Sequence, residues 1–183
     1  LPAQTPDQIE TYVKKILRYE DEMGFMRGLD VLAIADGQEE IFKTDATNFL
    51  NFFPERINTS LLAPNAGDPN AENKVKNAIE NEPWVMAYFG HGSINMWGVD
   101  RLFSNEDVSN LANNPLPPIM LHFTCLTGLF THPEQESLTE SLLWLPEGGA
   151  IAVIAPTSLT LSYQQGHLSS GFVKGLFQPD FPR

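Results

Sequence analysis

One thiol and one imidazole are the side chains of this sequence best suited to chemistry. Cys125 is the single cysteine among 183 residues, so an intramolecular disulfide is impossible. Such a cysteine is either an inert thiol of the core or a nucleophile, and its neighbours must decide between the two. His91 lies 34 positions before Cys125 in the sequence, and an imidazole is a suitable base for a thiol nucleophile.

Both residues directly follow a predicted strand. The apolar run 84–89 leads into Gly90-His91-Gly92-Ser93, and the run 119–124 leads into Cys125. Ligands of open α/β sheets bind outside the carboxyl ends of the strands, so neighbouring strands would bring His91 and Cys125 to one crevice. The backbone amides of Gly92 and Cys125 could then hold an oxyanion beside the thiol.

Apolar runs and helical periodicity together predict the elements that position these residues. The predicted strands cover 29–35, 56–62, 84–89, 119–124 and 150–155. The predicted helices cover 5–19, 45–53, 72–80, 104–111, 136–145 and 165–177, with Asp45 expected to cap the second. Strands that alternate with helices indicate an α/β fold with a mostly parallel sheet, and the short connections favour a single domain over residues 1–183.

The charge and the ends of the chain limit its partners. The formal net charge of −12, from 11 basic and 23 acidic residues, disfavours nucleic acid and anionic lipid as partners. No apolar run approaches the length of a membrane span. The first residues lack the features of a targeting signal, and we interpret the chain as a piece of a longer protein.

Several motifs of other enzyme classes are absent. The four histidines lack zinc-ligand spacing, and no Gly-x-Ser-x-Gly elbow indicates a serine hydrolase. No glycine fingerprint follows the first predicted strand, which disfavours a nucleotide- or flavin-binding domain. We therefore expect no metal and no cofactor at the site.

Two motifs carry a family resemblance. Tyr88 to Ser93, followed by Trp97-Gly98, resembles the histidine motif of gingipain-type cysteine peptidases, which are members of the caspase-like clan. Leu116 to Ile119, followed by Thr124 to Phe130, resembles the cysteine motif of that family. The segments 137–143 and 148–155 are similar to the helix and strand that follow, and 1–20 is similar to the lead into the catalytic domain.

The resemblance implies a caspase-like three-layer sandwich and a cysteine endopeptidase. His91 is then the catalytic histidine and Cys125 the nucleophile that forms a thioester acyl-enzyme. The amides of Gly92 and Cys125 form the oxyanion hole. An acidic residue near the end of the first strand orients the histidine in this family, and Asp36 is the nearest match here.

The resemblance also suggests where substrate binds. Trypsin-like members use an acidic residue in the first specificity pocket, and the corresponding loop here contains Asp36, Glu39, Glu40 and Asp45. Among these, Asp45 is our candidate for substrate binding. Trp97 is either a packing aromatic or a wall of the site, and Tyr163 lies where an aromatic wall of the pocket is expected.

The expected partners are a protein or peptide substrate and other domains of the same longer chain, in a secreted or cell-surface protein. Calcium sites occur in members of the family, but no compact acidic loop here resembles an ion-binding motif. The alternative function is a catalytically silent or latent caspase-like fold that serves as a binding or assembly module.

Overall fold

A five-stranded parallel sheet forms the centre of the computed structural model, which describes residues 3–26, 28–111 and 114–177. The elements follow in the order α1 (Pro6–Met26), β1 (Val31–Ala35), α2 (Glu40–Asn51), β2 (Thr59–Leu62), α3 (Ala71–Glu80), β3 (Val85–Phe89), β4 (Gly92–Ser93), β5 (Met96–Trp97), β6 (Phe103–Ser104), α4 (Asn105–Val108), β7 (Ile119–Phe123), α5 (Leu138–Trp144), β8 (Ala152–Ile154) and α6 (Ser162–Phe177). The strand order is β2-β1-β3-β7-β8, and every neighbouring pair is parallel. The predicted α/β class with a parallel sheet is confirmed.

Helices cover both faces of the sheet and give the fold three layers. One face of β1, β3 and β7 packs against α3 and α5 in one apolar cluster. The other face packs against α2 and α6 in a second cluster. Because both faces are covered, β1 and β3 are buried along their whole length and read in the sequence as continuous apolar runs.

A small antiparallel sheet lies between β3 and β7 in the chain. Its strands β4, β5 and β6 have two residues each and pair in that order. The sequence did not predict this sheet, because two residues are too few to produce an alternating pattern. The sheet contributes Trp97 and Phe103, both fully buried, to the core.

Four helices differ by three residues or more from their predicted bounds, and one of them is α4, which ends at Val108 and not at residue 111. α2 begins at Glu40 and not at Asp45, so Asp45 lies inside the helix and Glu39 occupies the N-cap position. The expectation that Asp45 caps this helix is therefore wrong. α1 continues to Met26 instead of ending near residue 19, and α6 begins at Ser162 instead of residue 165. Within the described parts of the chain, no helix is both long and apolar enough to cross a membrane.

A buried lysine joins α1 to the end of α5. Lys15 is 1% exposed, and its ammonium donates to four backbone carbonyl oxygens at 2.8–3.3 Å. These oxygens belong to Leu142, Leu143, Gly148 and Ala150. Burial, followed by repulsion from Arg18, lowers the pKa of Lys15 to about 7. The ammonium thus takes the place of the missing donors at a helix C-terminus.

Candidate active site

Three loops meet at the carboxyl end of the sheet because β1, β3 and β7 are adjacent and in register. Phe89, the last residue of β3, pairs with Phe123, the last residue of β7. Backbone bonds continue past the strands: Asp36 N donates to Phe89 O at 2.8 Å, and Gly90 N donates to Phe123 O at 3.2 Å. The loops that carry the predicted histidine and cysteine therefore lie side by side.

His91 and Cys125 line one open cavity of about 200 Å³ at this edge. The start of α2 contributes Glu39 and Phe42 to its lining, and the segment 160–165 contributes a further part of the wall. The two side chains that the sequence singled out thus share one crevice.

The Cys125 thiol is half-buried and contacts a residue that lies beyond β8. Thr160 N donates to Cys125 Sγ at 3.4 Å, and Thr160 O lies 3.6 Å from the sulfur, within reach of the thiol hydrogen. The Thr160 hydroxyl lies 3.9 Å from the sulfur. The thiol is therefore exposed to the cavity on one side and contacted by the main chain of Thr160 on another.

The backbone turns sharply directly after the cysteine. Leu126 has a φ of 60°, in the left-handed region that residues with a side chain seldom occupy. Leu126 N donates to Ser158 O at 3.2 Å, and Thr127 N donates to Cys125 O at 2.7 Å. These bonds hold Cys125 at the tip of a strand-to-turn transition, where its side chain can face the cavity.

The ring of His91 is held by a carboxylate and by an aromatic ring. His91 Nε2 lies 3.0 Å from Glu39 Oε1, and Phe42 packs edge-on against the imidazole with 5.1 Å between ring centroids. The side chain remains 44% exposed. The ring has no hydrogen bond to Cys125 Sγ, whose described partner is Thr160. Such a bond is often absent from an unliganded site and forms only with substrate.

Asp36, the predicted orienter of the histidine, binds the main chain and not the imidazole. Its carboxylate is buried and accepts from the amides of His91 at 3.2 Å and Gln38 at 3.0 Å, with the Tyr88 hydroxyl at 3.5 Å. Asp36 follows β1 directly, so its short side chain reaches the neighbouring backbone and the Tyr88 hydroxyl but not the imidazole. Glu39, three residues later, reaches the ring. The expectation for Asp36 is corrected: it fixes the loop, and Glu39 contacts the imidazole.

Trp97, considered as a wall of the site, is instead part of the core. Its side chain is fully buried and stacks on Tyr88 with 4.6 Å between ring centroids and an interplanar angle of 9°. Tyr88 in turn donates from its hydroxyl to His91 O at 2.7 Å. Burial, followed by the nearby charge of Asp36, raises the pKa of Tyr88 well above its ordinary value, so this donor stays protonated. Trp97 therefore packs against Tyr88, which holds the main chain of His91, and does not line the cavity.

The register of the small sheet leaves the backbone amide of Gly92 without a bond to β5. Gly98 N donates to His91 O at 2.8 Å, so these two residues, which directly adjoin β5 and β4, form a hydrogen-bonded pair. The next pair, Gly92 with Trp97, is then a non-hydrogen-bonded pair, because the two kinds alternate along an antiparallel ladder. The N–H of Gly92 consequently points away from β5.

The same glycine approaches the cysteine loop closely. A Cβ at Gly92 would lie 2.4 Å from Thr124 Oγ1 and 3.1 Å from Cys125 O. Only a residue without a side chain fits at this distance. The contact brings the Gly92 backbone beside Cys125, the residue that carries the thiol. The role of Gly92 as an oxyanion donor stays a prediction.

Asp45 lines a second cavity, of about 290 Å³, next to the first. Ser162 and Gln165 line both cavities, so the two are adjacent. Partial burial raises the pKa of Asp45 above its ordinary value. Tyr163, expected as an aromatic wall, is 73% exposed at the start of α6 and does not line either of these cavities.

His122, on β7, is the other histidine close to the site. Its ring is buried on the face of the sheet opposite α2, with Nδ1 3.1 Å from Thr127 Oγ1 and 3.5 Å from Trp97 Nε1. Its Nε2 has no hydrogen-bond partner among the described residues. Burial lowers the pKa of His122 to about 3, so the ring is neutral at ordinary pH. His122 therefore belongs to the core.

In the described part of the chain, no group of three or more histidine, cysteine, aspartate or glutamate side chains is arranged to hold a metal ion. The expectation of a site without a cofactor stays a prediction. The sequence singled out neither Thr160 nor Gln165, because both reach the site only through the packing of β8 and α6. Glu39 was noticed only as one of four acidic residues in a loop.

Comparison with known proteins places this chain in a family. The sequence profile described as peptidase family C25 matches residues 1–183. No curated protein matches the sequence.

Solved structures share the fold. The crystal structure of the Arg specific cysteine proteinase gingipain R has a TM-score of 0.72 and 17% identity, over 95% of this chain and 43% of that chain. The complex of Porphyromonas gingivalis RgpB pro- and mature domains gives 0.73 and 17%, over 96% of this chain and 44% of that chain. A structure described as a protease gives 0.74 and 16%, over 92% of this chain and 38% of that chain.

This chain spans less than half of each of these structures. The structural similarity over nearly the whole of this chain shows that its fold is that of a gingipain. This is a caspase-like arrangement of one parallel sheet between two layers of helices. Since the family profile covers every residue of the sequence, the chain belongs to peptidase family C25, the gingipain family of cysteine peptidases.

Proposed function

We propose that this protein is a cysteine endopeptidase in which Cys125 is the nucleophile and His91 is the acid–base residue. One observation carries the proposal: both side chains line a single open cavity at the carboxyl edge of the sheet. Cys125 reaches the cavity from a tight turn, and His91 reaches it from a glycine-flanked loop of the adjacent strand.

The proposed reaction proceeds through two covalent steps. His91 takes the proton of the Cys125 thiol, and the sulfur attacks the carbonyl carbon of the scissile peptide bond to form a tetrahedral intermediate. The amides of Gly92 and Cys125 donate to its oxyanion. His91 gives a proton to the departing amine, which leaves a thioester on Cys125. A water molecule, deprotonated by His91, then hydrolyses the thioester and frees the thiol.

Glu39 has a supporting role in this mechanism. Its carboxylate lies 3.0 Å from Nε2 of His91 and limits the rotation of an otherwise half-exposed ring. A carboxylate partner also stabilises the imidazolium that exists between the two proton transfers. Asp36 acts one step further away, since it holds the main-chain amide of His91 at 3.2 Å.

We propose that the cavity beside Asp45 receives the substrate side chain that precedes the cleaved bond. It adjoins the thiol cavity through Ser162 and Gln165 and contains an acidic side chain. A carboxylate in a partly closed cavity favours a cationic group, because the surrounding protein screens the attraction less than water does. Arginine or lysine at this substrate position is the expected preference, and one similar structure is described as Arg specific.

Turnover of fluorogenic peptides by the full-length protein tests this function. Peptides with arginine or lysine before the cleaved bond should be hydrolysed faster than peptides with alanine there. Cys125→Ala should abolish turnover, and His91→Ala should lower kcat/KM by about 10²- to 10⁴-fold. His167→Ala, which changes an exposed histidine of α6, is the matched control and should retain full activity.

A folded wild-type protein that hydrolyses none of these peptides would overturn the peptidase proposal and favour the binding or assembly module. Hydrolysis that is indifferent to the residue before the cleaved bond would overturn only the assignment of the Asp45 cavity.

The proposed partners and location follow from the family. We expect a protein or peptide substrate and contacts with other domains of a longer chain, as in the similar complex of pro- and mature domains. We also expect a secreted or cell-surface protein. Fractionation of the source cells, with detection of the protein by antibody, tests the location, and recovery from the cytosol alone would contradict it.

A further inference from the structure

The segment between β8 and α6 reaches across the sheet edge to the thiol. Thr160 is the residue in contact, and it uses its main chain: its N–H donates to Cys125 Sγ at 3.4 Å, and its carbonyl oxygen lies 3.6 Å from the sulfur. The same segment is fastened to the turn after the cysteine, because Leu126 N donates to Ser158 O at 3.2 Å and Gly128 N donates to Pro156 O at 2.9 Å.

Side chains fix the position of Thr160 relative to the cysteine strand. The Thr160 hydroxyl donates to Thr124 O, the carbonyl directly before Cys125. Gln165 Nε2 donates both to Thr124 O at 3.0 Å and to Thr160 Oγ1 at 2.7 Å. The three residues form a closed set of hydrogen bonds at the edge of the cavity, and the Thr160 N–H is thereby aimed at the sulfur.

The two main-chain groups of Thr160 favour different protonation states of the thiol. The carbonyl accepts the S–H hydrogen, and this bond exists only in the neutral thiol. The N–H donates to the sulfur in both states, and a bond to a charged acceptor is roughly twice as strong as a bond to a neutral one. The N–H is also the nearer of the two, and it keeps its partner when the proton leaves.

We propose that Thr160 is a positioning residue that stabilises the Cys125 thiolate through its backbone N–H, and that Gln165 maintains this position. The inference rests on the proposed role of Cys125 as nucleophile and adds to it the two residues that prepare the sulfur. The other titratable groups that line the cavity are Glu39 and His91, whereas the segment 160–165 contributes only neutral groups to it.

Alkylation of Cys125 by iodoacetamide as a function of pH tests this role, because the thiolate is the species that reacts. Mass spectrometry of the peptide that contains Cys125 gives the rate in the full-length protein. Thr160→Val removes the hydroxyl that anchors the residue but keeps its shape, whereas Thr160→Ser keeps the hydroxyl. Gln165→Leu removes both hydrogen bonds that the side-chain amide donates. Gln164→Leu is its matched control on the exposed side of the helix.

We expect alkylation at pH 7 to slow by about 3- to 10-fold in Thr160→Val and in Gln165→Leu. The variants keep the Thr160 N–H and only loosen its position, so the effect is smaller than full loss of a hydrogen bond to a charged group. The plateau rate at high pH should stay unchanged, so the half-maximal pH moves upward. Thr160→Ser and Gln164→Leu should follow the wild-type profile. The same series in a His91→Ala background removes the titration of the imidazole from the comparison.

A Thr160→Val profile that coincides with wild type would overturn the proposal, and so would equal shifts in Gln165→Leu and Gln164→Leu. Circular dichroism verifies that each variant is folded; if Thr160→Val is not, Gln165→Leu decides. The result is separable from the proposed function. A Thr160→Val profile that is shifted in a protein without peptidase activity would support this inference and contradict the peptidase proposal. A Thr160→Val profile that is unchanged in an active peptidase would contradict this inference and support the peptidase proposal.

Discussion

Replacement of Lys15 by methionine tests how α1 is held to the rest of the domain. Methionine keeps the length and apolar stem of the side chain but has no hydrogen to donate. Lys15 is 1% exposed, so water cannot replace the lost donor without a rearrangement of α1 and α5. The effect should therefore appear in the free energy of unfolding.

The size of this effect follows from the acceptors that lose a partner. Leu142 O keeps the bond that it accepts from Ala150 N at 3.0 Å. The carbonyls of Leu143, Gly148 and Ala150 lose the ammonium of Lys15. At about 1 kcal/mol for each bond, Lys15→Met should lower the free energy of unfolding by about 3 kcal/mol.

The loss should increase with pH. Burial lowers the pKa of Lys15 in the folded protein to about 7 from an ordinary 10.5. Between these values the unfolded chain binds a proton that the folded chain does not, so deprotonation favours folding as the pH rises. The wild type should gain up to about 1.4 kcal/mol per pH unit above pH 7, and Lys15→Met should lack this gain.

Urea unfolding at pH 6, 7, 8 and 9, followed by tryptophan fluorescence, measures both effects. Lys14→Met is the matched control, because Lys14 is the neighbouring lysine and is exposed in its ion pair with Glu10. It should behave like wild type at every pH. A Lys15→Met protein as stable as Lys14→Met would refute the role of the four carbonyl bonds. A stability gap that narrows from pH 7 to pH 9 would refute the lowered pKa.

Three further substitutions probe the site and its support. Glu39→Gln removes the charge beside the ring of His91 and should lower kcat/KM for a peptide by about 10-fold, mainly through kcat. Gly92→Ala places a methyl group 2.4 Å from a buried threonine hydroxyl and should lower the free energy of unfolding by about 1–3 kcal/mol. His122 is buried with its pKa lowered to about 3, so the unfolded chain binds a proton first as the pH falls. The wild type should lose about 1.4 kcal/mol per pH unit from about pH 6.5 towards pH 3 at this residue, and His122→Leu should lack that part of the acid sensitivity.

Each of these variants has a control in the same chain. Glu40→Gln changes the adjacent glutamate and should leave kcat/KM unchanged; an equal loss would mean that general charge and not the ring contact matters. Gly171→Ala adds a methyl group in open space on α6 and should not destabilise, unlike Gly92→Ala. His167→Leu removes an exposed histidine, and an acid response equal to that of His122→Leu would contradict the burial argument.

The sheet and the positions of His91 and Cys125 could be predicted because a parallel strand that is buried on both faces is a continuous apolar run in the sequence. Both faces of β3 and β7 are covered, so each reads as an apolar run, and the first polar residues afterwards mark the carboxyl edge. His91 and Cys125 follow from that reading directly. The small sheet that supports the histidine loop does not, since its strands are two residues long.

The supporting residues were harder to predict because their contacts depend on tertiary structure. Asp45 has the side chain of a good helix cap, and this local preference displaced the predicted start of α2 by five residues. Glu39 consequently looked like a loop residue, although its position at the N-cap brings it to His91. Thr160 and Gln165 lie 35 and 40 residues after Cys125. Thr160 contacts the sulfur and Gln165 contacts the carbonyl of Thr124, and both contacts form only once β8 has joined the sheet.

The order of the elements along the chain also determines when the cavity can form during synthesis. A ribosome releases β3 with its histidine first, and the cysteine strand β7 follows only after the small sheet and α4. The wall that contacts the sulfur arrives last, with the segment before α6. In a nascent chain, His91 and Cys125 therefore stay without the wall that contains Thr160 until that segment has also left the ribosome.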